Sequence, residues 1–199
     1  ADLADRFSFG QIRVSHHQNL ILGDVAREDL FALWQSLQDL GLDTPNAGLA
    51  TDIICCPGGD YCSLANAKSI PIAEAISRRF DDIDTVYNLG PIDLNISGCM
   101  NACGQHNMAN IGFQGMTVKT PDKLVAPALQ VLLGGGNLGD GSGVFADKVV
   151  KVPSKRGPEA LRRVFNDYEE NGNGQKFVVY YKEKGAKYFY DLLNDLQDV

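Results

Sequence analysis

The chain has 199 residues, 44% of them hydrophobic and 22% charged, the profile of an ordinary globular protein rather than a disordered or fibrous one. Its 18 basic and 25 acidic residues leave a net charge of −7, which disfavours nucleic-acid binding and repels highly anionic ligands unless cations come from elsewhere. No stretch approaches the ~20 apolar residues of a membrane span, and Ala1 to Phe9 lack the layout of a secretion signal. A cytoplasmic protein with no membrane partner is expected, and, since the chain opens on alanine rather than methionine, one processed or cut from something longer.

In chain order, Phe9, Ile12 and Val14 form a short β-favouring run, His16-His17-Gln18 interrupts it at a turn, and Leu20, Ile21 and Leu22 resume it. Asp24 is placed to cap a helix carrying Leu30, Leu33, Trp34, Leu37 and Leu40, with Gly41 at its end. Turn residues cluster at Thr44-Pro45-Asn46-Ala47-Gly48, so the chain is divided there into a segment 1–45 and a segment 46–199. Ile53-Ile54 predicts a strand leading into a cysteine loop, followed by a helix with Leu64, Ile72, Ala75, Ile76 and Phe80 that Pro71 kinks or restarts. Ile92, Leu94 and Ile96 alternate as in a half-buried strand running into Gly98-Cys99, and two further strands are predicted around Ile111–Val118 and Leu124–Leu133. Gly134-Gly135-Gly136-Asn137-Leu138-Gly139 fits G-x-G-x-x-G, but Asp140-Gly141-Ser142-Gly143 prolongs the loop where a dinucleotide site needs a helix. Helices are predicted over Pro158–Glu170 and Phe177–Leu196, broken near Gly172–Gly174 and Gly185, with their aromatic residues packed as core. The whole reads as α/β with C-terminal helices.

All five cysteines lie between positions 55 and 103. They fall into Cys56-x5-Cys62, with Cys55 adjacent, and Cys99-x3-Cys103, each group in a Gly- and Asn-bearing loop directly after a predicted strand. Two strand-end loops can face each other across one end of a sheet, so four thiolates could converge. Buried free cysteine does not explain the polar loops, disulfides sit poorly with an odd count and no secretion signal, and structural zinc favours cysteines two to four residues apart. A [4Fe–4S] cubane takes four thiolates, is wider than a single ion, and suits an x5 loop with glycines that let N–H groups approach the sulfurs.

Cys56-Pro57-Gly58-Gly59-Asp60-Tyr61-Cys62, followed by Gly98-Cys99-Met100-Asn101-Ala102-Cys103-Gly104-Gln105, resembles the signature of siroheme-dependent sulfite and nitrite reductases: C-x5-C, a gap of about forty residues, then G-C-x-N-x-C. Phe9-Gly10-Gln11-Ile12-Arg13-Val14 with Gln18-Asn19-Leu20, Ile111-Gly112-Phe113-Gln114-Gly115 and Leu132-Leu133-Gly134-Gly135 extend the similarity over roughly positions 6 to 135. The resemblance implies a ferredoxin-like half-domain (1–45) followed by a mixed-sheet α/β domain (46–199) that carries the cluster. It further implies that Cys56, Cys62, Cys99 and Cys103 ligate a [4Fe–4S] cluster, and that Cys103 is also the axial ligand of the siroheme iron and the catalytic thiolate. Asn101 would donate toward the cluster, and Gly104 and Gln105 would lie against the macrocycle; Cys55 has no counterpart and is expected to be a packed thiol.

The implied reaction is six-electron reduction of sulfite to sulfide or nitrite to ammonia, with ferredoxin or a flavoprotein as electron donor. The family's anion-binding Arg and Lys residues come mainly from a half that this chain does not match. Few cations lie near the cysteine loops in sequence, with Lys68, Lys119 and Arg13 the nearest. The missing half or a partner chain is therefore expected to supply them, and Arg13 is weighed as pairing locally rather than binding the anion. The rival reading is a non-catalytic module with four cysteines around a structural zinc. His106, three residues past Cys103, is open to either a contact near the cofactor or solvent.

Overall fold

The computed structural model describes residues 1–198, and they form two compact units, Ala1–Ala47 and a larger one from Gly48 onward. The small unit begins with a helix the sequence reading did not anticipate, α1 (Asp2–Phe7), which buries Ala4 and Phe7. An antiparallel pair follows, β1 (Arg13–Val14) and β2 (Leu20–Ile21), with His16 and His17 exposed at its turn. Arg13 donates to Gln11 Oε1 at 3.4 Å, a local partner. Asp24 adopts a left-handed backbone (φ 54°) and does not cap a helix; a 3₁₀ turn at Arg27–Asp29 leads into α2 (Leu30–Gln38) instead. Phe9, Val14, Leu20 and Phe31 remain exposed in this unit.

The large unit is built on a five-stranded mixed sheet in the order β3 (Ile54–Cys55), β4 (Leu94–Ser97), β5 (Ile111–Lys119), β6 (Val125–Leu133), β9 (Asp147–Pro153). β3, β4 and β5 run parallel, and β6 and β9 are antiparallel to their neighbours. The G-x-G-x-x-G segment forms a small hairpin, β7 (Gly136–Asn137) with β8 (Gly143–Val144), and opens no helix. The register gives the sheet two chemically different faces. Leu94, Ile96, Ile111, Phe113, Leu129, Val131, Leu133, Val150 and Val152 share one face and form the core with helical side chains. Asn95, Ser97, Gly112, Gln114 and Gln130 share the other.

The core helices are α3 (Ser69–Arg79), α4 (Ile83–Leu89), α5 (Gly157–Asn171), α6 (Phe177–Lys184) and α7 (Ala186–Leu193). Pro71 lies in the first turn of α3, where its missing N–H costs nothing; the helix starts there, and Leu64 is an exposed turn residue rather than part of it. Phe177, Tyr180, Tyr181 and Phe189 pack as core aromatics. The buried carboxylate of Asp167 accepts from the hydroxyls of Tyr180 (2.6 Å) and Tyr188 (2.5 Å) and from Asn171 (3.2 Å). β4 departs from the half-buried expectation: all four of its residues are buried, because the core closes over one face and the connection to β5 crosses the other.

Candidate functional site

The site is assembled from the two cysteine loops at the ends of β3 and β4. In the first, Gly58 holds a left-handed backbone (φ 62°) where an added Cβ would lie 2.4 Å from the Ser69 nitrogen, so only glycine lets the loop press onto the start of α3. A 3₁₀ turn at Gly58–Asp60 follows, and the Cys62 N–H closes it on the Gly58 carbonyl at 2.9 Å. The second loop is the whole parallel connection from β4 to β5. It returns across the polar sheet face, where the Gln105 carbonyl accepts from Asn95 Nδ2 (3.3 Å) and Gly104 N–H donates to Ser97 Oγ (3.0 Å). Ala102 (φ 57°) and Gln105 (φ 55°) both take left-handed backbone, so the turn around Cys103 is held against local preference by its neighbours.

Gly98 joins the two loops. Its N–H donates to Cys56 Sγ at 3.1 Å, and its carbonyl accepts from Asn66 N–H (2.8 Å) and Ala67 N–H (3.1 Å). A side chain at Gly98 would meet the Ala67 carbonyl at 2.8 Å and the Gly58 Cα at 3.0 Å. The thiol of Cys56, from the first loop, thus sits beside the backbone immediately preceding Cys99 in the second. Ser69 Oγ lies 3.4 Å from the same sulfur. Cys56 and Cys99 are buried, each 8% exposed, Cys62 is half-buried and Cys103 is exposed. This grades the thiols from a sheltered pair to one that opens outward.

Cys56, Cys62, Cys99 and Cys103 are free thiols. Among the described residues no three Cys, His, Asp or Glu side chains are drawn together as a single metal ion requires. The donor set of the two loops is soft sulfur throughout, chemistry that suits an iron–sulfur cluster. The N–H of Gly98 on Cys56 is the kind of hydrogen bond that stabilises a thiolate ligand.

Cys55 stands apart from this group. In the β3–β4 register it pairs with Ile96, on the core face of the sheet, and it packs against that core half-buried. Burial, and then the neighbouring Cys56, push its thiol up to about 12. Asn101 and Gln105 are exposed on the second loop, whereas Gly104 is buried against β4, where a Cβ would lie 2.3 Å from the Ile96 carbonyl; close approach of the loop to the strand is what requires glycine there. His106 is only 3% exposed, so it does not face solvent. Its imidazole is held below the usual histidine range by burial, against a raising hydrogen bond with Gln114, with the Lys148 ammonium lowering it further; its Nδ1 has no hydrogen-bond partner among the described residues.

Of the cations nearest in sequence, Lys68 pairs with Asp60 at 2.8 Å. Sequence reasoning missed the Gly98 N–H, Ser69, Ser97 and two lysines on β9. Only Gly98 had a signal, its place directly before Cys99. No helix among the described residues is long and apolar enough to cross a membrane.

The larger unit is thus a mixed α/β domain with two soft-donor cysteine loops at the ends of neighbouring parallel strands, preceded by a small separate unit. Residues 1–40 match the model of the nitrite/sulfite reductase ferredoxin-like half domain. The chain is 30% identical over 185 residues to a ferredoxin sulfite reductase of Mycolicibacterium paratuberculosis, covering 89% of this chain and 33% of that protein. It is also 30% identical over 141 residues to the chloroplastic ferredoxin–nitrite reductase of Zea mays, covering 68% and 24%. The solved structure of the Mycobacterium tuberculosis NirA protein superposes with a TM-score of 0.78 at 26% identity, over 94% of this chain and 35% of that one. The chain belongs to the siroheme sulfite/nitrite reductase family. It spans between about a quarter and a third of the length of the curated relatives it matches.

Proposed function

We propose that this chain is the cluster-bearing portion of a siroheme and [4Fe–4S] reductase of sulfite or nitrite. Cys56, Cys62, Cys99 and Cys103 would hold the cubane, with Cys103, the exposed thiol, also facing the siroheme iron. When bound, the coupled centre supplies the electron path for a six-electron reduction, sulfite to sulfide or nitrite to ammonia. The chain's own residues shelter and orient it. Buried Cys56 and Cys99 exclude water on the inner side, the Gly98 N–H favours the thiolate form of Cys56, and Ser97 Oγ pins the turn that presents Cys103. The observation that carries this reading is the Gly98 bridge, which fastens the two cysteine loops together at one end of the sheet.

The small anion and the acidic macrocycle both call for Arg and Lys, and this chain carries a net charge of −7. Most of the anion site is assigned to a further stretch of protein, an N-terminal half or a partner chain. Exposed Tyr61, Leu64, Met100 and Met108 on the cysteine loops are consistent with a surface made to be covered. Ferredoxin is the electron donor this reading favours, since the sulfite and nitrite reductases matched are named for it. The zinc alternative fits the spacing less well, since structural zinc favours cysteines two to four residues apart and the first loop puts five residues between Cys56 and Cys62.

Anaerobic incubation with iron and sulfide is expected to give a brown protein with about four irons per chain. After chemical reduction the 199-residue chain should consume neither sulfite nor nitrite. One zinc per chain with no visible absorbance would support the structural-metal alternative, and turnover by the isolated chain would contradict the assignment of the anion site to another stretch.

A further inference from the structure

β9 reads Asp147-Lys148-Val149-Val150-Lys151-Val152-Pro153. In a regular strand Lys148 and Lys151, three positions apart, would face opposite sides of the sheet. The pairing with β6 slips at Val131/Leu132, so that Lys148 stands opposite Leu132, Lys151 opposite Gln130, and Val149 is the extra residue. Since Gln130 and Leu132 lie two apart on one strand, the bulge delivers both ammonium groups to one face. It is the polar face, carrying the cross-strand rows Ser97, Gln114, Gln130, Lys151 and Asn95, Gly112, Leu132, Lys148.

The second cysteine loop crosses this same face. Gly112 lets the His106 carbonyl rest on the sheet, and Lys148 is close enough for its charge to act on the His106 ring. Both lysines are exposed and neither forms an ion pair among the described residues; the neighbouring Asp147 is turned to the core face, where it accepts from Tyr181. Lys148 and Lys151 lie more than forty residues beyond Cys103, and only sheet order and the bulge bring them to the face its loop crosses.

We propose that Lys148 and Lys151 form a carboxylate-binding pair for the rim of the tetrapyrrole, which deepens the reading under Proposed function and rests on it. β9 stands three strand spacings from β4, roughly 14 Å, the wrong place for an anion on an iron next to Cys103. A macrocycle carries its acid groups at its periphery, and cations set out along the sheet from the cysteine loop suit those groups. Lysines and a bulge on an edge strand also guard against edge-to-edge pairing, a role that needs no ligand. Binding separates the two.

The test is titration of the full chain with metal-free uroporphyrin, an octacarboxylate porphyrin, followed by its fluorescence and absorbance. Ionic strength is set at about 0.1 M, where distant acidic residues are screened and direct contacts survive. The Lys148→Gln/Lys151→Gln variant is expected to bind about tenfold more weakly. Lys148→Arg/Lys151→Arg should stay within about threefold of the parent, because charge and donors remain. Lys119→Gln/Lys123→Gln, with the same change in net charge, should stay within about twofold. Equal affinity in the double glutamine variant, an equal loss in the Lys119/Lys123 control, displacement of the porphyrin by equimolar sulfite or nitrite, or no porphyrin binding by the parent chain would each overturn the pair. Iron loading is measured separately, so a chain that takes up its cluster yet shows no lysine-dependent porphyrin affinity overturns this proposal and leaves the reductase reading standing.

Discussion

Gly112→Ala is expected to lift the second cysteine loop off the sheet and with it the ability to load a cluster. A Cβ at Gly112 would lie 1.9 Å from the His106 carbonyl oxygen and 2.8 Å from its carbon, and both the strand and the loop present backbone there rather than a side chain that can swing away. Ordinary overpacking costs about 1–3 kcal/mol, and a backbone-on-backbone collision belongs at or above the top of that range. The urea midpoint should fall accordingly, and iron bound after anaerobic loading should drop to a small fraction of the parent's. Gly141→Ala is the matched control. Gly141 also has positive φ (86°) but has nothing within 4 Å of its missing side chain, so it should cost only about 1 kcal/mol of backbone strain and leave loading intact. A Gly112→Ala protein as stable as the parent, with full iron, would show that the loop does not depend on this contact.

Cys56→Ala should abolish the intact cluster while Cys55→Ala spares it, although the two residues are adjacent. Cys56 Sγ receives the Gly98 N–H at the junction of the loops, and no other thiol has that position. Cys55 belongs to the core face of β3 and packs against the helices. Iron per chain is expected to fall from about four to near zero in the first variant and to remain about four in the second. The half-buried Cys55 should cost about 1 kcal/mol in stability on truncation, through lost packing. Loss of iron in Cys55→Ala with retention in Cys56→Ala would reverse the ligand assignment.

Much of this architecture was legible where local pattern and tertiary role agree. β5 and β6 are long strands with apolar positions in register, and α5 to α7 are separated at the glycines that mark their breaks. The cysteine loops stood out because Gly, Asn and Cys recur there at a spacing with a chemical purpose. Other features depend on long-range pairing. β9 hides behind a glycine-rich hairpin, and its two lysines share a face only because of a one-residue bulge against β6. β4 looked half-buried because Asn95 and Ser97 alternate with apolar residues, yet those polar side chains are covered by the loop they hydrogen-bond. His106 was ambiguous for the same reason: its burial comes from Gly112, six residues away, whose lack of a side chain makes room for its backbone. In the small unit, α1 has too few apolar residues to declare itself, and Asp24 took a left-handed turn where capping chemistry suggested a helix start.

Iron K-edge X-ray absorption on the anaerobically loaded chain tests the four-thiolate cubane most directly. The predicted spectrum has a sulfur-only first shell and a strong iron–iron vector beyond it, both lost in Cys56→Ala. A first shell containing nitrogen or oxygen donors, with no neighbouring iron, would contradict it.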